Sequence, residues 1–292
     1  LSNHSQSFQA VAFGQQLSTF YAPQQEASAQ ACTICQAKER WWEWQTTLKP
    51  QQPVSVANPL SMQAASDGWD VRDWMRIAYQ SPMGGQHSIW QIYYRNFGEE
   101  NAISQLTAQG ENTLPRLSPD TRQILFVSNR DKGATERDHN LEIYRINNDG
   151  SGETRLTVAT ATDTMPAWSA DGQQIVFVSE RDGTAELYVM QADGGNQHRL
   201  TNNGLPDLYP TWSPNGATIA WVQVNGEMGD LLLMNTDGTN VRTLQHGLRY
   251  LAHPSWSADG TRLAFDFDGD SDGFNEPYLL DLASGSLQPI AI

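Results

Sequence analysis

Short apolar segments recur through the second half of the chain, each followed by a polar turn. The first segment of each recurrence has three or four residues, many of them β-branched or aromatic, and lies at residues 124–127, 175–178, 219–222 and 263–265. Runs of this length and composition are typical of buried strands, because a helix shows a longer pattern with a period of 3.6 residues. The pattern therefore predicts an all-β protein.

A second apolar segment follows each first one and ends in a turn that contains glycine. These segments lie at residues 141–146, 186–190, 231–234 and 278–280, and the turns at 149–150, 193–194, 237–238 and 284–285. Asp-Gly and Ser-Gly pairs favour tight hairpins because such turns need a positive φ angle. Each unit then closes on a leucine, namely Leu156, Leu200, Leu244 or Leu287.

A heptapeptide marks the start of each unit. Pro166-Ala-Trp168-Ser169-Ala-Asp171-Gly172 recurs with small changes at Pro210 and at Pro254, 44 residues later each time, and a weaker copy begins at Pro115. With one short strand at the heptapeptide, every unit has four strands. Such units cannot bury both of their faces alone, and side-by-side packing around an axis gives a β-propeller.

The tryptophans of the heptapeptide have a structural interpretation in this arrangement. Trp168, Trp212 and Trp256 occupy the same position in three successive units. We expect them to lie between neighbouring blades rather than to bind a ligand.

These motifs resemble the repeat of TolB-type (WD40-like) β-propellers. The heptapeptide is followed by Ile-x-Phe-x-Ser, Arg-Asp-Gly, Leu-Tyr-x-Met, Asp-Gly-Gly and Leu-Thr, and the likeness covers residues 115–265 well and 68–292 loosely. The resemblance implies an extracytoplasmic protein, in the periplasm, at the cell surface or secreted, that binds other proteins or forms part of an assembly. The same repeats occur in prolyl-oligopeptidase-like enzymes, and fold alone does not decide function.

The repeat divides the chain into an N-terminal extension, residues 1–66, and a propeller, residues 67–292. Residues 68–107 form a divergent unit, so five blades are recognisable, and a sixth is expected if 41–66 joins the ring. Five blades are the alternative. Segments 8–20 and 24–40 of the extension could be helical, or the extension could be an irregular arm that docks on a neighbouring subunit and mediates self-assembly.

Charge and hydropathy narrow the possible partners. The chain has 292 residues and a formal net charge of −15, and its mean hydropathy is −0.53. Nucleic acid needs a basic surface and is not expected as a partner. No apolar run approaches the ~20 residues of a membrane-spanning helix. The chain starts at Leu1, which with the family resemblance suggests a processed, exported protein.

The two cysteines, Cys32 and Cys35, allow several interpretations. Gln36 stands where c-type haem attachment needs histidine, the histidines lack the paired spacing of a zinc site, and the βαβ context of a redox dithiol is absent. Two ordinary thiols or a local disulfide remain. The disulfide is favoured because the resemblance implies export to an oxidising compartment.

The last repeat contains an acidic loop with calcium-like spacing. Asp268, Asp270 and Asp272 alternate before a glycine, Phe274 could supply a backbone carbonyl, and Glu276 follows at the ninth position. Alternate oxygen ligands let a loop wrap one Ca²⁺, although the usual acidic residue at position twelve is replaced by leucine. We predict a structural calcium site, with an acidic solvated hairpin as the alternative.

The chain carries no clear catalytic motif. It has no Gly-x-Ser-x-Gly, no His-Glu-x-x-His and no glycine-rich phosphate loop, so no nucleotide is expected.

The hairpin 131–140 is seven residues longer than its counterparts, and we expect it to bind a partner through the charged residues Asp131, Lys132, Glu136, Arg137 and Asp138. A non-catalytic platform is thus predicted. The alternative is a carbohydrate-binding or carbohydrate-active propeller that uses the central funnel, with Asp131 and Glu136 or Asp138 as an acid pair.

Overall fold

Five antiparallel sheets make up most of the part of the chain that is described by the computed structural model. This part comprises residues 76–83, 89–96, 103–131 and 140–290, together with the backbone of 12–13 and 16–17. Within it there is no helix, and hence none long and apolar enough to cross a membrane. The all-β prediction is confirmed.

The strands follow one another in chain order within each sheet. The first sheet contains β3 (Arg76–Met83), β4 (Ile89–Asn96) and β5 (Ile103–Gln105). The second contains β6 (Asn112–Leu117), β7 (Gln123–Ser128), β8 (Glu142–Asn147) and β9 (Thr154–Arg155). The third contains β10 (Asp163–Trp168), β11 (Gln174–Ser179), β12 (Glu186–Gln191) and β13 (His198–Arg199). The fourth contains β14 (Asp207–Trp212), β15 (Thr218–Asn225), β16 (Met228–Asn235) and β17 (Arg242–Arg249). The fifth contains β18 (Ala252–Trp256), β19 (Arg262–Phe267), β20 (Glu276–Asp281) and β21 (Leu287–Pro289).

The four-stranded sheets are the predicted four-strand units, and they pack as blades. Strand β6 lies beside β10, β10 beside β14, and β14 beside β18, so the strand that holds the heptapeptide faces its counterpart in the next sheet. Residues 41–66 lie outside the described part of the chain. The choice between five and six blades therefore stays a prediction.

The first sheet matches the second to fourth strands of the others. Thr107 accepts a hydrogen bond from the Ile92 backbone N–H at 2.9 Å and donates one to Gln91 Oε1 at 2.8 Å. In the next sheet Thr157 makes the same two kinds of contact, with Ile143 and with a glutamate. The segment that would form the innermost strand of this sheet precedes Arg76 and is outside the described residues.

The apolar core lies between successive sheets. Trp168 is buried in a cluster that combines Leu125 and Ile143 of the second sheet with Ile175 and Phe177 of the third. Trp212 occupies the corresponding place between the third and fourth sheets, and Trp256 that between the fourth and fifth. Each blade thus covers one face of its neighbour, which supplies the burial that a single sheet cannot provide.

The heptapeptide forms the first hairpin turn of each blade. Ser169 Oγ donates to Asp171 Oδ1 at 2.6 Å, and the same carboxylate accepts the Gln173 N–H at 3.0 Å. Gly172 follows with a φ angle of 71°. In the weaker copy Thr121 stands at this position with a φ angle of 62°, a left-handed conformation that glycine adopts more easily.

Each heptapeptide strand also has a β-bulge directly before its proline. Leu114, Met165, Tyr209 and His253 have φ angles of 50–56°, and the pairing with the second strand shifts at these residues. A positive φ is uncommon for large side chains. The repetition at four equivalent positions shows that the bulge belongs to the blade, and it bends the strand.

The described residues of the N-terminal extension are extended rather than helical. In β1 (Ala12–Phe13) and β2 (Gln16–Leu17), Ala12 pairs with Leu17 and Phe13 with Gln16. Of the two alternatives for 8–20, a helix or an irregular arm, the helix is not found at these four residues; Gly14 is a poor helix former and the apolar spacing is irregular. The helix predicted for 24–40 lies outside the described residues.

Candidate functional site: the loop face of the propeller

We define the loop face as the end of the sheets where the second strand joins the third and where the chain crosses to the next blade. It comprises residues 129–131, 140–141, 156–162, 180–185, 200–206, 226–227, 250–251 and 268–275. Neighbouring blades meet here through backbone hydrogen bonds. The Asp163 N–H donates to the Leu141 carbonyl at 2.8 Å, and the Asp207 N–H donates to the Ala185 carbonyl at the same distance.

Arginines just inside this face bind buried groups at the start of the heptapeptide strand. Arg181 Nη2 donates to Asp163 Oδ2 at 2.7 Å, and its guanidinium lies 4.8 Å from the centre of the Tyr188 ring. In the preceding blade Arg130 binds Asn112 in the same way and lies 5.0 Å from the centre of the Tyr144 ring. Stacking holds these arginines in fixed positions together with an ion pair, which Arg181 makes with Asp163 and Arg130 with Glu153.

A second arginine in each of these blades binds a buried glutamate. Arg199 Nη2 donates to Glu186 Oε1 at 2.8 Å, and Thr201 Oγ1 donates to Glu186 Oε2 at 2.7 Å. Arg155 and Thr157 hold Glu142 in the same manner. The sequence analysis missed these pairs. Their signal was the repeated Arg-Leu-Thr at 155–157 and 199–201 together with Ser-x-Arg-Asp at 128–131 and 179–182.

Burial changes the acidity of Asp163. The pKa of its carboxyl is raised to about 6, mainly by loss of hydration and to a smaller extent by the charge of Glu142. Contacts with Ser179 and Arg181 lower the pKa but do not restore the ordinary value. Asp163 Oδ1 is buried and accepts no hydrogen bond within the described part of the chain.

The start of the long hairpin is fixed to its blade. Tyr144 Oη donates to Asp131 Oδ2 at 2.6 Å, and Arg155 Nη1 lies 3.7 Å from the same oxygen. Burial, with this hydrogen bond, raises the pKa of the Tyr144 hydroxyl. The other residues of the predicted partner-binding loop, namely Lys132, Glu136, Arg137 and Asp138, are outside the described residues, as are Cys32 and Cys35.

The acidic loop of the last blade brings three aspartates together. One carboxylate oxygen from each of Asp268, Asp270 and Asp272 lies within 4.8 Å of the others. Asp268 is buried, whereas Asp270 and Asp272 are exposed. Glu276 is outside this group, and its Oε2 accepts the Gly269 N–H at 3.2 Å. The Phe274 N–H donates to Asp272 Oδ1 at 2.9 Å.

Exposed apolar side chains also occur on this face. Among the described residues five large hydrophobic side chains are exposed, and three of them, Val158, Met228 and Phe274, lie at the loop face or at its edge. Each belongs to a different blade. Ile103 and Val241 lie at the opposite end of the sheets, near the start of a fourth strand.

Solved structures of low sequence identity share this fold. TolB from Acinetobacter baumannii superposes with a TM-score of 0.65 at 18% identity, over 82% of this chain and 60% of that one. Oligogalacturonate lyase from Vibrio parahaemolyticus superposes with a TM-score of 0.52 at 19% identity, over 69% of this chain and 58% of that one. A TolB and a lyase therefore share the architecture, which by itself does not select an activity.

Sequence comparison identifies the family. An uncharacterized protein of Agrobacterium fabrum is 32% identical over 97 residues, which are 33% of this chain and 30% of that protein. The chain thus spans less than two thirds of the length of these relatives. The family pattern of the TolB beta propeller domain matches residues 71–247, more than half of the sequence. The chain belongs to the TolB beta propeller domain family.

Proposed function

We propose that this propeller is a non-catalytic protein-interaction domain of an extracytoplasmic protein, and that its partner binds over the loop face. The observation that supports this most is the placement of exposed apolar side chains. Val158 is 80% exposed, and Met228 and Phe274 are 47% and 37% exposed. Exposed apolar groups on one face of a domain are typical of a site that another protein covers.

The charge of the face indicates the kind of surface that would fit it. Asp131, Asp182 and Glu227 expose about half of their side chains there, and each is paired with a partly exposed arginine. The net charge of −15 favours a partner that brings basic groups to the rim of these apolar contacts. A second copy of the chain is the alternative partner, and it would make the protein a subunit of an assembly.

The contacts of the buried carboxylates support a structural role for them. Glu142 and Glu186 each bind an arginine and a threonine, so their oxygens are already occupied. Asp131, one candidate of the proposed acid pair, is bound to Tyr144. A general acid or base needs a proton that can reach a substrate, and these contacts do not favour such a role.

Site-specific photo-crosslinking in cells of the source organism tests the proposal. A benzoylphenylalanine at position 158 or 228 should give a discrete covalent adduct with a second protein. The same group at 103 or 241, at the opposite end of the sheets, should give none. An adduct with another copy of the chain would support the alternative that the protein is a subunit of an assembly. Equal adducts at all four positions, or none at 158 and 228, would contradict the proposal.

A charge substitution provides a matched control. Val158→Asp should reduce the adduct formed from position 228 by about tenfold or more, because a buried unpaired charge in an interface costs at least ~1.4 kcal/mol. Val241→Asp, which adds the same charge to an exposed valine, should leave that adduct unchanged. Circular dichroism of both variants checks that they fold.

A further inference from the structure

We propose that Asp268, Asp270 and Asp272, in the loop between β19 and β20, bind a calcium ion. Their carboxylate oxygens come within 4.8 Å of one another, close enough for one cation to contact all three. The three residues alternate along the loop, so that one loop can supply several ligands. This inference does not depend on the proposed partner-binding function.

The contacts of Asp268 give independent support for a ligand. Its side chain is fully buried, and Oδ2 accepts from Arg249 Nη1 at 3.0 Å and from the Gly273 N–H at 3.2 Å. Oδ1 is also buried, yet it accepts no hydrogen bond from any described residue. A buried carboxylate oxygen without a partner is costly. A cation that contacts Oδ1 would supply the missing partner.

A comparison with Asp163 separates this site from an ordinary buried aspartate. Asp163 also has one buried oxygen without a hydrogen bond among the described residues. It belongs to no cluster of acidic residues there, whereas Asp268 has Asp270 and Asp272 beside it. Among the described residues, only the loop of the last blade thus combines the unpartnered oxygen with further ligands of the same kind.

The local charge favours a divalent cation. The three aspartates and Glu276 contribute four negative charges, and Arg249 contributes one positive charge that it shares with Glu227. Like charges at this separation repel one another, and a bound divalent ion would offset that repulsion.

The chemistry of the ligands selects calcium among the common ions. The group consists of carboxylates alone and includes no histidine or cysteine, which zinc prefers. Calcium accepts six to eight oxygen ligands in variable geometry, so carboxylates of one loop, backbone carbonyls and water can complete the shell. Glu276 is the nearby carboxylate that would join the shell when its hydrogen bond with Gly269 opens.

The cation would act on the junction between the fourth and fifth sheets. The Asp268 N–H donates to the Arg249 carbonyl at 2.9 Å, in addition to the side-chain ion pair. Arg249 ends β17, and Asp268 follows β19. We therefore expect bound calcium to stabilise the last blade, because a ligand that binds only the folded state raises the unfolding temperature.

Titration of the full chain with calcium chloride after removal of metals with a chelator tests this inference. We expect one saturable site by calorimetry and a rise in Tm that excess chelator reverses, with a weaker effect of magnesium chloride at equal concentration. Asp270→Asn combined with Asp272→Asn should weaken calcium binding at least tenfold. Asp193→Asn combined with Asp237→Asn removes two exposed carboxylates of other hairpins and should not change binding.

Terbium luminescence gives a second measurement that needs only the wild-type protein. The Tyr278 ring packs against Gly269, so a terbium ion in the loop should be excited through a nearby aromatic ring and be displaced by calcium. Wild-type protein that shows neither saturable calcium binding nor displaceable terbium emission would overturn the inference. Equal loss of binding in the two double variants would also overturn it.

Discussion

Three buried acidic residues near the loop face, Glu142, Asp163 and Glu186, are each held by an arginine of the same blade. Arg181 binds Asp163 at 2.7 Å, and Arg199 binds Glu186 at 2.8 Å, with both carboxylates fully buried. A buried pair of this kind is strongly destabilised when one partner is removed, since the other charge then stays desolvated. Arg262 and Asp281, 3.7 Å apart and both exposed, form a pair that contributes little.

The raised pKa of Asp163 predicts an unusual pH dependence. An acid whose pKa is higher in the folded state takes up a proton on folding, so its favourable contribution is present below the unfolded pKa near 4 and is lost as the pH rises through about 6. The stability of the wild type relative to Asp163→Asn should therefore fall by up to about 3 kcal/mol between about pH 4 and about pH 7. Urea unfolding at several pH values measures this difference.

Asp259→Asn is the matched control. A hydrogen bond from Ser257 lowers the pKa of the Asp259 carboxyl to about 2, so its contribution is lost only as the pH falls below the unfolded value. The free energy of unfolding of Asp259→Asn should differ from that of the wild type by the same amount at every pH above about 5. If the stability difference between the wild type and Asp163→Asn were also independent of pH, the raised pKa of Asp163 would be contradicted.

The heptapeptide strand is the element that connects one blade to the next. Its tryptophan reaches back to the preceding blade, and Trp168 Nε1 donates to the Arg116 carbonyl at 3.1 Å. Trp212 occupies the equivalent position and is equally buried, but its Nε1 has no acceptor within the described part of the chain. Two residues with the same packing thus differ by one hydrogen bond.

This difference predicts unequal costs for the same substitution. Trp168→Phe removes the hydrogen bond to the Arg116 carbonyl, whereas Trp212→Phe removes a donor that has no acceptor among the described residues. We expect Trp168→Phe to lower the free energy of unfolding by ~1–2 kcal/mol more than Trp212→Phe does. Urea denaturation of the two variants in parallel measures this difference in the free energy of unfolding. Equal losses would mean that the indole N–H groups do not contribute to stability.

Across the whole molecule, the blades are not equally covered. Five of the six residues of β12, in the third blade, are buried, whereas only one of the six residues of β20, in the last blade, is buried. A propeller without exposed blade faces needs another element beside the last blade. Residues 41–66, with three tryptophans, are the predicted source of that element.

Deletion of residues 1–66 tests the six-blade prediction. If these residues cover the last blade, their removal should speed hydrogen exchange in β18–β21 by about tenfold or more, because less burial lowers the cost of local opening. Exchange in β10–β13, which have a blade on either side, serves as the internal control. Unchanged protection of the last blade would favour the five-blade alternative.

The repeat was sufficient to predict the fold from the sequence. It predicted the residues of the loop face only in part. The heptapeptide, the glycine turns and the apolar runs act locally and recur, so they identified the strands and their order without coordinates. The arginine–carboxylate pairs join residues that are distant in sequence, such as Arg181 and Asp163, which are 18 positions apart. Such pairs depend on which strand ends meet at one end of a blade.

The sequence alone determined the fold class, the family and the acidic loop of the last blade, because each depends on residue types at fixed spacing along the chain. Only the tertiary structure decided which carboxylates are buried, which arginines neutralise them, and which apolar side chains stay exposed on one face. It also showed that Asp268 has an oxygen without a partner among the described residues. Burial arises when blades pack against one another, and the repeated Ser-x-Arg-Asp and Arg-Leu-Thr motifs give the residue types without showing which side chains meet.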